Sequence, residues 1–376
     1  MRKVLYVSGT RADYGLMRTT LKAIEAHPDL DLVVVATGMH LMPEFGRTVE
    51  DIVADGFRVL IAEASIATDD RGATPRFLGR LIEKLADIVE EERPDEILLL
   101  GDRAEMLAGA TVGTYMGIPT FHVHGGDISS TVDEHARHAI TKLSHVHLPA
   151  TERSADRILR MGEAPENVII VGSPSLDSLS DLVPEPDIRR TYGVGQNDYL
   201  LMVQHPVSEE MDRAAEQMRG VISAILDIGT HAVVIYPNAD AGGRRMIQVI
   251  QEESSPLFHC YRSVPRDHYL QLLLQSKALV GNSSSGLVEA PSLGVPFVNV
   301  GSRQKGRERG DNVIDVGYGK DEVLRGLSMI DDSTLQQRLG QRRNPYGDGR
   351  TGERIANILA EKPLGNGLVQ KRLSYE

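Results

Sequence analysis

The sequence predicts an α/β protein that contains two doubly wound parallel sheets, one in each of two domains. Short runs rich in Val, Ile and Leu alternate with longer segments of 3.6-residue periodicity along most of the 376 residues. This alternation is typical of parallel strands that helices cover on both faces. The segment 182–195 interrupts it with two prolines and two glycines among charged residues, and a chain of this length exceeds what one hydrophobic core usually serves. We therefore predict Rossmann-like domains at 1–182 and 183–376, with the last helix expected to pack back on the first domain.

Each predicted element follows from its local pattern, because strands show as short apolar runs and helices as amphipathic segments. Strands of the first domain are expected at Val4–Val7, Leu32–Ala36, Arg58–Ile61, Glu96–Leu100, Thr120–Val123, Val146–Leu148 and Val168–Val171. Strands of the second are expected at Tyr199–Val203, Ala232–Tyr236, His259–Tyr261, Ala278–Val280 and Phe297–Val300. Helices are expected at Phe77–Glu91, Ala104–Met116, Glu210–Asp227, Arg244–Gln251, Arg266–Gln275, Gly286–Leu293 and Arg350–Ala360. Because parallel sheets bind ligands at the carboxyl ends of their strands, we expect functional residues there.

Composition and charge argue against several classes of protein. A net charge of −12 gives no support to binding of nucleic acid or anionic membranes, which favours a basic stripe. Cys260 is the only cysteine, so no disulfide forms within the chain, and its apolar neighbourhood predicts a buried side chain. The first apolar run is too short for a signal peptide, and none approaches the roughly 18 apolar residues of a membrane helix. We therefore expect a cytoplasmic protein.

The segment 278–296 has the pattern of a strand, a small-residue turn and a helix. Its turn, Gly281-Asn-Ser-Ser-Ser-Gly, enters a predicted helix, where backbone N–H groups and the helix dipole favour a diphosphate. Ser283 and Ser284 add hydroxyl donors, and Glu289 is placed to accept from ribose hydroxyls. A serine-rich helix cap without a ligand is the alternative interpretation.

The first strand ends in Ser8-Gly-Thr-Arg-Ala-Asp-Tyr-Gly, which is neither the dinucleotide fingerprint nor a Walker motif. This argues against NAD and ATP. Arg11 follows that strand and is placed to reach a phosphate. The alternative is a surface ion pair of Arg11 with Asp13 or Glu25.

Titratable side chains follow two predicted strands, whose ends are expected on one rim of the sheet. Asp102 comes after the fourth strand, and His124 and Asp127 come after the fifth, with Asp133 close behind. Such a density of titratable groups is typical of general acid–base catalysis. A metal site is the alternative interpretation, because histidines are numerous at His122, His124, His135, His138, His145 and His147.

Further polar motifs follow strands of the second domain. His205 ends one strand and the segment 236–243 ends the next, while Arg303 and Arg307 follow the last predicted strand. The two arginines are suitable cationic partners for a diphosphate, although each also suits a solvated surface position.

In their order and spacing these motifs resemble the hydrolysing UDP-N-acetylglucosamine 2-epimerases of sialic-acid and nonulosonic-acid pathways, including the epimerase half of the bifunctional animal epimerase/kinase. The resemblance covers most of the chain. It rests on Arg11-Ala-Asp-Tyr, Gly101-Asp-Arg, Gly125-Gly126, Arg137-His-Ala-Ile-Thr-Lys-Leu, Gln204-His-Pro-Val, Pro237-Asn-x-Asp-Ala-Gly, Gly281-Asn-Ser-Ser and Arg303-Gln-x-Gly-Arg. It implies a GT-B-like fold, in which two Rossmann-like domains enclose an interdomain cleft.

The resemblance also implies a reaction and a set of roles. A base removes the C2 proton of the sugar while UDP leaves, which gives a 2-acetamidoglucal; water then adds at C1 as C2 is reprotonated on the opposite face, which releases free N-acetylmannosamine. No cofactor and no metal are needed, and a homo-oligomer (dimer or tetramer) is expected. The implied acid–base residues are Asp102, His124 and Asp133. The implied substrate-binding residues are Arg11, Arg103, His205, Asn238, Ser283, Ser284, Glu289 and Arg303.

Two positions depart from the animal pattern, which has glutamate where this chain has His124 and Asp127. Imidazole, with an ordinary pKa near 6.5, still acts as an acid or a base at neutral pH. The departure leaves open a UDP- or GDP-linked 2,4-diacetamido-2,4,6-trideoxyhexose as substrate. There are three other hypotheses: a non-hydrolysing 2-epimerase, a GT-B glycosyltransferase and a catalytically silent nucleotide-sugar sensor. Non-hydrolysing 2-epimerases usually carry Gly-Thr-Arg-Pro-Glu where this chain has Gly-Thr-Arg-Ala-Asp.

Overall fold

The structure, a computed structural model, describes residues 1–42, 47–66, 72–128, 133–179, 182–237 and 242–375. It divides into two compact units. The first unit comprises Met1–Asp177 together with Tyr346–Glu376, and the second comprises Ser178–Pro345. The sequence-based division at 182/183 differs from these units mainly at the C-terminal segment, which belongs to the first unit.

The first unit is built on a six-stranded parallel sheet in the order β3-β2-β1-β4-β5-β6. Its strands are β1 (Arg2–Ser8), β2 (Leu30–Ala36), β3 (Val59–Ile61), β4 (Glu96–Leu100), β5 (Thr120–Val123) and β6 (Val146–Leu148). The central strand β1 pairs with β2 from Arg2 to Ser8 and with β4 from Val4 to Tyr6. Val, Ile and Leu fill these strands because both faces of the sheet are covered.

Helices cover both faces of this sheet. They are α1 (Arg11–Glu25), α2 (Val49–Ala54), α3 (Ala73–Glu92), α4 (Ala104–Met116), α5 (Asp133–Leu143) and α6 (Glu152–Arg160), joined near the C-terminus by α15 (Thr351–Glu361) and α16 (Asn366–Val369). Ile355 and Leu359 of α15 are fully buried in the same apolar cluster as Val4 and Leu21. Single 3-10 turns lie at Gly38–Leu41, Pro165–Asn167 and Pro174–Leu176.

The strand predicted at Val168–Val171 is wrong. The segment forms only one isolated parallel bridge, between Val168 and His147. The backbone N–H groups of Ile169 and Val171 donate to the segment that contains β6, at 2.9 and 3.1 Å, but Ile170 is 46% exposed. The apolar segment Val168–Val171 thus lies beside the edge strand β6 without forming a further strand of the sheet.

The second unit contains another six-stranded parallel sheet, in the order β12-β11-β10-β7-β8-β9. Its strands are β7 (Tyr199–Val203), β8 (His231–Ile235), β9 (Phe258–Tyr261), β10 (Ala278–Gly281), β11 (Phe297–Val300) and β12 (Val313–Val316). Its helices are α7 (Ile188–Thr191), α8 (Ala214–Ile228), α9 (Gly243–Glu252), α10 (Arg266–Leu274), α11 (Ser285–Val288), α12 (Ala290–Leu293), α13 (Lys320–Ser328) and α14 (Ser333–Leu339), and a 3-10 turn lies at Ser208–Arg213. The sequence patterns missed β12, α13 and α14, and also α7, which lies in the segment interpreted as a linker.

Two local expectations in the second unit are wrong. Cys260, predicted to be buried, is exposed, because it lies on β9 at the edge of the sheet. The single helix predicted at Gly286–Leu293 is two four-residue helices that break at Glu289. Pro291 lacks the N–H that a continuous helix needs to bond the carbonyl of Leu287.

Both sheets have the same winding, since each central pair of strands starts connections that run outward in opposite directions. The direction reverses between β1 and β4 in the first unit and between β7 and β10 in the second. Ligands of doubly wound sheets bind at the carboxyl ends of the strands at such switch points. Among the described residues, no helix is long and apolar enough to cross a membrane.

Candidate active site

In the first unit, Asp102 follows β4 and is held by a guanidinium from α5. The buried Arg137 donates one Nη group to Oδ2 of Asp102 and the other to the carbonyl of Asp127, at 2.8 Å. Burial raises the pKa of Asp102, the positive charge of Arg137 opposes that rise, and the charge of Asp133 adds to it. Burial and these neighbouring charges together therefore shift the proton affinity of Asp102, as acid–base work requires.

Histidines at the end of β5 have two different environments. His122 is fully buried, and its Nε2 lies 2.7 Å from the carbonyl oxygen of Gly101. Burial lowers the pKa of His122 to about 3, so this neutral imidazole supports the turn that carries Asp102. His124 is partly exposed, and its Nδ1 lies 3.0 Å from Oδ2 of Asp127. Of the two, His124 is the one available for chemistry.

Asp133, the third predicted acid–base residue, is the first residue of α5 and is exposed. Its charge acts on both Asp102 and Arg103, so these three side chains lie within electrostatic reach of one another. Arg137 lies one turn further along the same helix and links Asp102 to the segment that holds His124. The structure thus brings Asp102, His124 and Asp133 to one edge of the first sheet.

Arg103 ends the connection from β4 to α4, at the N-cap of the helix, and lies against a buried carboxylate. Its Nη2 and Nε lie 3.3 Å from the two carboxylate oxygens of Glu105, which is 2% exposed. A Cβ atom on Gly9 would lie 2.4 Å from Oε1 of Glu105, so the turn after β1 packs directly on this carboxylate. Glu105 therefore joins the two turns that flank the switch point.

The turn after β1 is organised by Asp13 rather than by Arg11. The Asp13 carboxylate accepts from the Ser8 hydroxyl and from the backbone N–H groups of Gly9 and Thr10, at 3.0 and 2.9 Å. Burial raises the pKa of Asp13 to about 6. Arg11 is exposed at the start of α1, and among the described residues neither Asp13 nor Glu25 forms an ion pair with it. The surface pairing considered from the sequence is therefore absent from the described part of the chain.

In the second unit, the 281–286 turn is shaped by close packing. Gly281 has a φ of +128°, and a Cβ there would lie 2.1 Å from the carbonyl oxygen of Val203, so only glycine fits. Ser283 and Ser284 are half-buried and precede the four-residue helix α11. Since that helix is a single turn, the diphosphate cradle predicted here has backbone and hydroxyl donors but no long helix dipole behind it.

Asn282 connects the two strands that flank the second switch point. Its Oδ1 accepts from the backbone N–H of His205 at 2.7 Å, and its Nδ2 donates to the His205 carbonyl at 2.9 Å. Asn282 is fully buried, so both amide groups are matched inside the protein. Burial lowers the pKa of the His205 imidazole to about 4, and the charge of Arg303 acts in the same direction.

Arg303 contacts the 281–286 turn, and Glu289 follows that turn at the end of α11. Nη1 of Arg303 donates to the Asn282 carbonyl at 3.2 Å, and Arg307 contacts Oε1 of Gln304 at 3.2 Å. Glu289 is 4% exposed and accepts from Nη2 of Arg266 at 2.8 Å. The predicted binding residues His205, Ser283, Ser284, Glu289 and Arg303 therefore share one region of the second unit. Asn238 lies outside the described residues.

The sequence reasoning missed several residues that build these sites. Arg137 and Asn282 were seen only as parts of motifs, although Arg137 lies four residues after Asp133 on one helix, a spacing that places side chains together. Glu105 and Arg266 carried no signal in the sequence, because nothing in one chain shows which buried partner they face.

The histidines do not form a metal centre in the described part of the chain, where no group of three or more potential metal ligands occurs. His145 accepts from the backbone N–H of Thr120 at 3.0 Å, and Nε2 of His147 lies 2.9 Å from Glu163. Burial lowers the pKa of His145 to about 4. These two histidines are hydrogen-bonding groups of the core.

A family model described as UDP-N-acetylglucosamine 2-epimerase matches residues 22–360. The chain belongs to this family. It is therefore an enzyme of the epimerase type. The resemblance stated from the motifs is confirmed.

Individual relatives agree with this assignment. A Legionella pneumophila protein named UDP-N,N'-diacetylbacillosamine 2-epimerase (hydrolyzing) is 40% identical over the whole of both chains. A Neisseria meningitidis UDP-N-acetylglucosamine 2-epimerase is 34% identical over 99% of this chain and 98% of its own. A Campylobacter jejuni GDP/UDP-N,N'-diacetylbacillosamine 2-epimerase (hydrolyzing) is 32% identical over 84% of each chain.

Solved structures show the same fold. The Staphylococcus aureus MnaA–UDP structure has a TM-score of 0.79 and 22% identity over 96% of each chain. The Neisseria meningitidis UDP-GlcNAc 2-epimerase bound to UDP-GlcNAc also has a TM-score of 0.79, with 18% identity over 96% of this chain and the whole of that chain. These likenesses confirm the predicted GT-B-like class with two Rossmann-like sheets.

Proposed function

We propose that this protein is a hydrolysing 2-epimerase that converts UDP-N,N'-diacetylbacillosamine into UDP and the free C2 epimer of the sugar. The observation that carries the proposal is the 40% identity, over the full length of both chains, to the Legionella relative of that name. The first unit adds the chemistry that such a reaction needs, because Asp102, His124 and Asp133 lie at one edge of its sheet.

We assign the acid–base steps to these three side chains. One of them accepts the C2 proton as the C1–O bond breaks and UDP leaves with the electron pair, which gives a 2-acetamidoglucal. Water then adds at C1, and a group on the opposite face returns a proton to C2. Removal and return on opposite faces require at least two groups, and the cluster supplies two carboxylates and an imidazole. No electrons are exchanged with a redox cofactor in this route.

We assign nucleotide binding mainly to the second unit. Ser283, Ser284 and Arg303 supply hydroxyl and guanidinium donors to the diphosphate, and Glu289 accepts from the ribose hydroxyls. The neutral imidazole of His205 adds a further hydrogen-bonding group. Asn238 of the second unit is proposed as another nucleotide contact, while Arg11 and Arg103 are proposed as the first unit's cations for the substrate.

UDP-N-acetylglucosamine is the second candidate substrate. The 34% identity over nearly the whole chain to the Neisseria UDP-N-acetylglucosamine 2-epimerase favours it. The two candidates differ at C4 and C6 of the sugar, whereas the C2 chemistry assigned above is the same for both.

The test is to incubate the purified protein separately with the two UDP-sugars and with the GDP-linked diacetamido sugar, and to follow products by ¹H and ³¹P NMR. We expect UDP release with the free C2 epimer, fastest from UDP-N,N'-diacetylbacillosamine. In D₂O the product should carry deuterium at C2. A UDP-linked epimer without UDP release would indicate a non-hydrolysing enzyme, and binding without turnover of any of the three would indicate a sensor.

We also propose that the protein is cytoplasmic, on the basis of its single cysteine, and forms a homo-oligomer. Size-exclusion chromatography with light scattering measures the second property directly. A monomer at micromolar concentration would contradict it.

A further inference from the structure

His124 has a left-handed backbone conformation, which residues other than glycine rarely adopt. Its φ is +61°, and its backbone N–H donates to the carbonyl of Leu148 at 3.2 Å as the chain leaves β5. Left-handed non-glycine residues cost free energy and persist where their surroundings require them, often at functional sites. Here the conformation places a partly exposed imidazole beside Asp127.

Both ring nitrogens of His124 contact protein groups. Nδ1 lies 3.0 Å from Oδ2 of Asp127, and Nε2 lies 3.1 Å from Oγ of Ser173. An ionised carboxylate only accepts hydrogen bonds, so Nδ1 carries the proton; in the neutral imidazole, Nε2 then keeps its lone pair. The Ser173 hydroxyl therefore donates to Nε2.

The two partners of the imidazole are held in turn. The second carboxylate oxygen of Asp127 lies 2.7 Å from the hydroxyl of Ser154, and the Asp127 carbonyl accepts from Arg137 at 2.8 Å. Ser173 is 2% exposed, and its Oγ lies 3.0 Å from Oγ of Ser175. Because the Ser173 proton is directed to Nε2, its oxygen accepts from Ser175. The result is a chain of hydrogen bonds with one direction, from Ser175 through Ser173 and His124 to Asp127.

We propose that Asp127, His124 and Ser173 act as one unit in which Nε2 of His124 exchanges the proton with C2 of the sugar, Asp127 holds the Nδ1–H tautomer, and Ser173 orients the ring. This inference rests on the proposed function. In the forward step the C2–H bond breaks and its proton goes to Nε2 of His124. The hydrogen bond from the Ser173 hydroxyl to Nε2 breaks at the same time. The C2–H electron pair forms the C1=C2 bond, and the C1–O pair leaves with UDP. His124 is then the catalytic residue, and Asp127 and Ser173 are positioning residues.

The unit also gives a physical reason for a histidine at this position. A carboxylate has two equivalent oxygens and needs no tautomer control. An imidazole has one basic nitrogen in its neutral form, and that nitrogen must be the correct one. Ring orientation and tautomer are set by the hydrogen bond on the opposite nitrogen. A histidine here therefore requires Asp127, and the sequence provides it three residues later.

The first test needs no substrate. Protein labelled with ¹⁵N-histidine is examined by NMR at a pH where histidines are neutral, and the His124 signals are identified by their loss in His124→Gln. We expect the Nδ1–H tautomer in the wild type, its loss in Asp127→Asn, and its retention in Ser173→Ala. An Nε2–H tautomer in the wild type, or no change in Asp127→Asn, would overturn the assignment even if the enzyme proves to act on another sugar.

The second test is kinetic, on the better of the two UDP-sugars. Asp127→Asn should lower kcat about 10²-fold with KM within about threefold, because a wrong tautomer affects proton transfer more than substrate binding. Ser173→Ala should lower kcat about tenfold. Ser328→Ala, which removes an exposed hydroxyl of α13 that bonds only the carbonyl of Arg325, is the matched control and should keep kcat within about threefold of wild type. An unchanged kcat in Asp127→Asn would refute the proposed unit. A wild type that is inactive on all sugar nucleotides would instead refute the proposed function, and the NMR experiment would still decide the tautomer of His124.

Discussion

The two sheets have the same strand order, yet their switch points are built from different chemistry. In the first unit the switch point is ionic, with Asp102 bonded to Arg137 and a buried Glu105 beside Arg103. In the second it is held by a neutral side chain, since Asn282 bonds both backbone groups of His205. The same backbone frame thus carries an ion pair at one switch point and a neutral amide at the other.

In the proposed reaction, the two copies of one architecture take different parts. Burial and neighbouring charges shift proton affinities, as they do for Asp102, and that suits proton transfer. A matched amide gains no charge and keeps its turn rigid, and that suits a fixed binding surface. The winding of the sheet determines where a site forms, and the side chains at the strand ends determine what it does.

Asp133→Asn tests the ionic side of the comparison with the largest expected effect. We expect kcat to fall about 10³-fold while UDP affinity stays within about threefold, because the group acts mainly in the transition state. Product formation by NMR and UDP titration by calorimetry measure the two quantities. Glu134→Gln, which changes the adjacent carboxylate, is the control. A loss of UDP affinity in Asp133→Asn would place Asp133 among the binding groups instead.

Asn282→Ala tests the neutral side. It removes the two hydrogen bonds that Asn282 makes to the backbone of His205 inside the protein, so we expect a loss of roughly 2–4 kcal/mol in the free energy of unfolding. UDP affinity should fall about tenfold as the turn loosens. Urea denaturation and calorimetry measure these changes. Asn282→Asp, the control, keeps the hydrogen-bond acceptor but loses the donor. If both variants were as stable as the wild type, the hydrogen bonds between Asn282 and His205 would not hold the turn.

Glu289→Ala separates binding from catalysis in the second unit. The variant removes the proposed ribose acceptor and the partner of Arg266, so we expect UDP to bind about tenfold more weakly. Glu289→Gln keeps a hydrogen-bonding group of the same size and should lose less affinity. Equal UDP affinity in Glu289→Ala and wild type would exclude the ribose contact.

Glu96→Gln tests whether the raised pKa of a carboxyl group indicates a catalytic role or only burial. Glu96 is fully buried at the amino end of β4, opposite Asp102, and burial raises its pKa from 4.5 to about 8. The folded state therefore holds a proton that the unfolded state has released between these pH values. Stability conferred by this group falls as the pH rises through that window, by at most about 1.4 kcal/mol per pH unit.

The measurement for Glu96 is the free energy of unfolding of variant and wild type from pH 5 to pH 9. Gln does not titrate, so the free energy of unfolding of the variant should rise relative to that of the wild type up to about pH 8. Above that pH the difference between the two should stay constant. Activity should stay within about twofold. A difference that does not depend on pH would show that Glu96 is not a buried, protonated carboxyl.

The sequence predicted the general frame better than the local pairings. Alternation of apolar runs and amphipathic segments predicted both parallel sheets, because covered parallel strands need apolar residues on both faces. It also predicted that Asp102, His124 and Asp133 lie near one another, since parallel strands end at one edge. It was wrong at Val168–Val171, where an apolar run makes one bridge only, and at Cys260, where an edge strand leaves the side chain exposed.

By itself, the sequence determined the fold class, the family and the edge of each sheet where the polar residues gather, since these depend on periodicity and on motifs read in order. Only the tertiary structure decided that Arg137 faces Asp102, that Asn282 clamps His205, and that His124 lies between Asp127 and Ser173. The physical reason is that periodicity reports which face of an element is buried, whereas hydrogen bonds depend on which distant residues meet there.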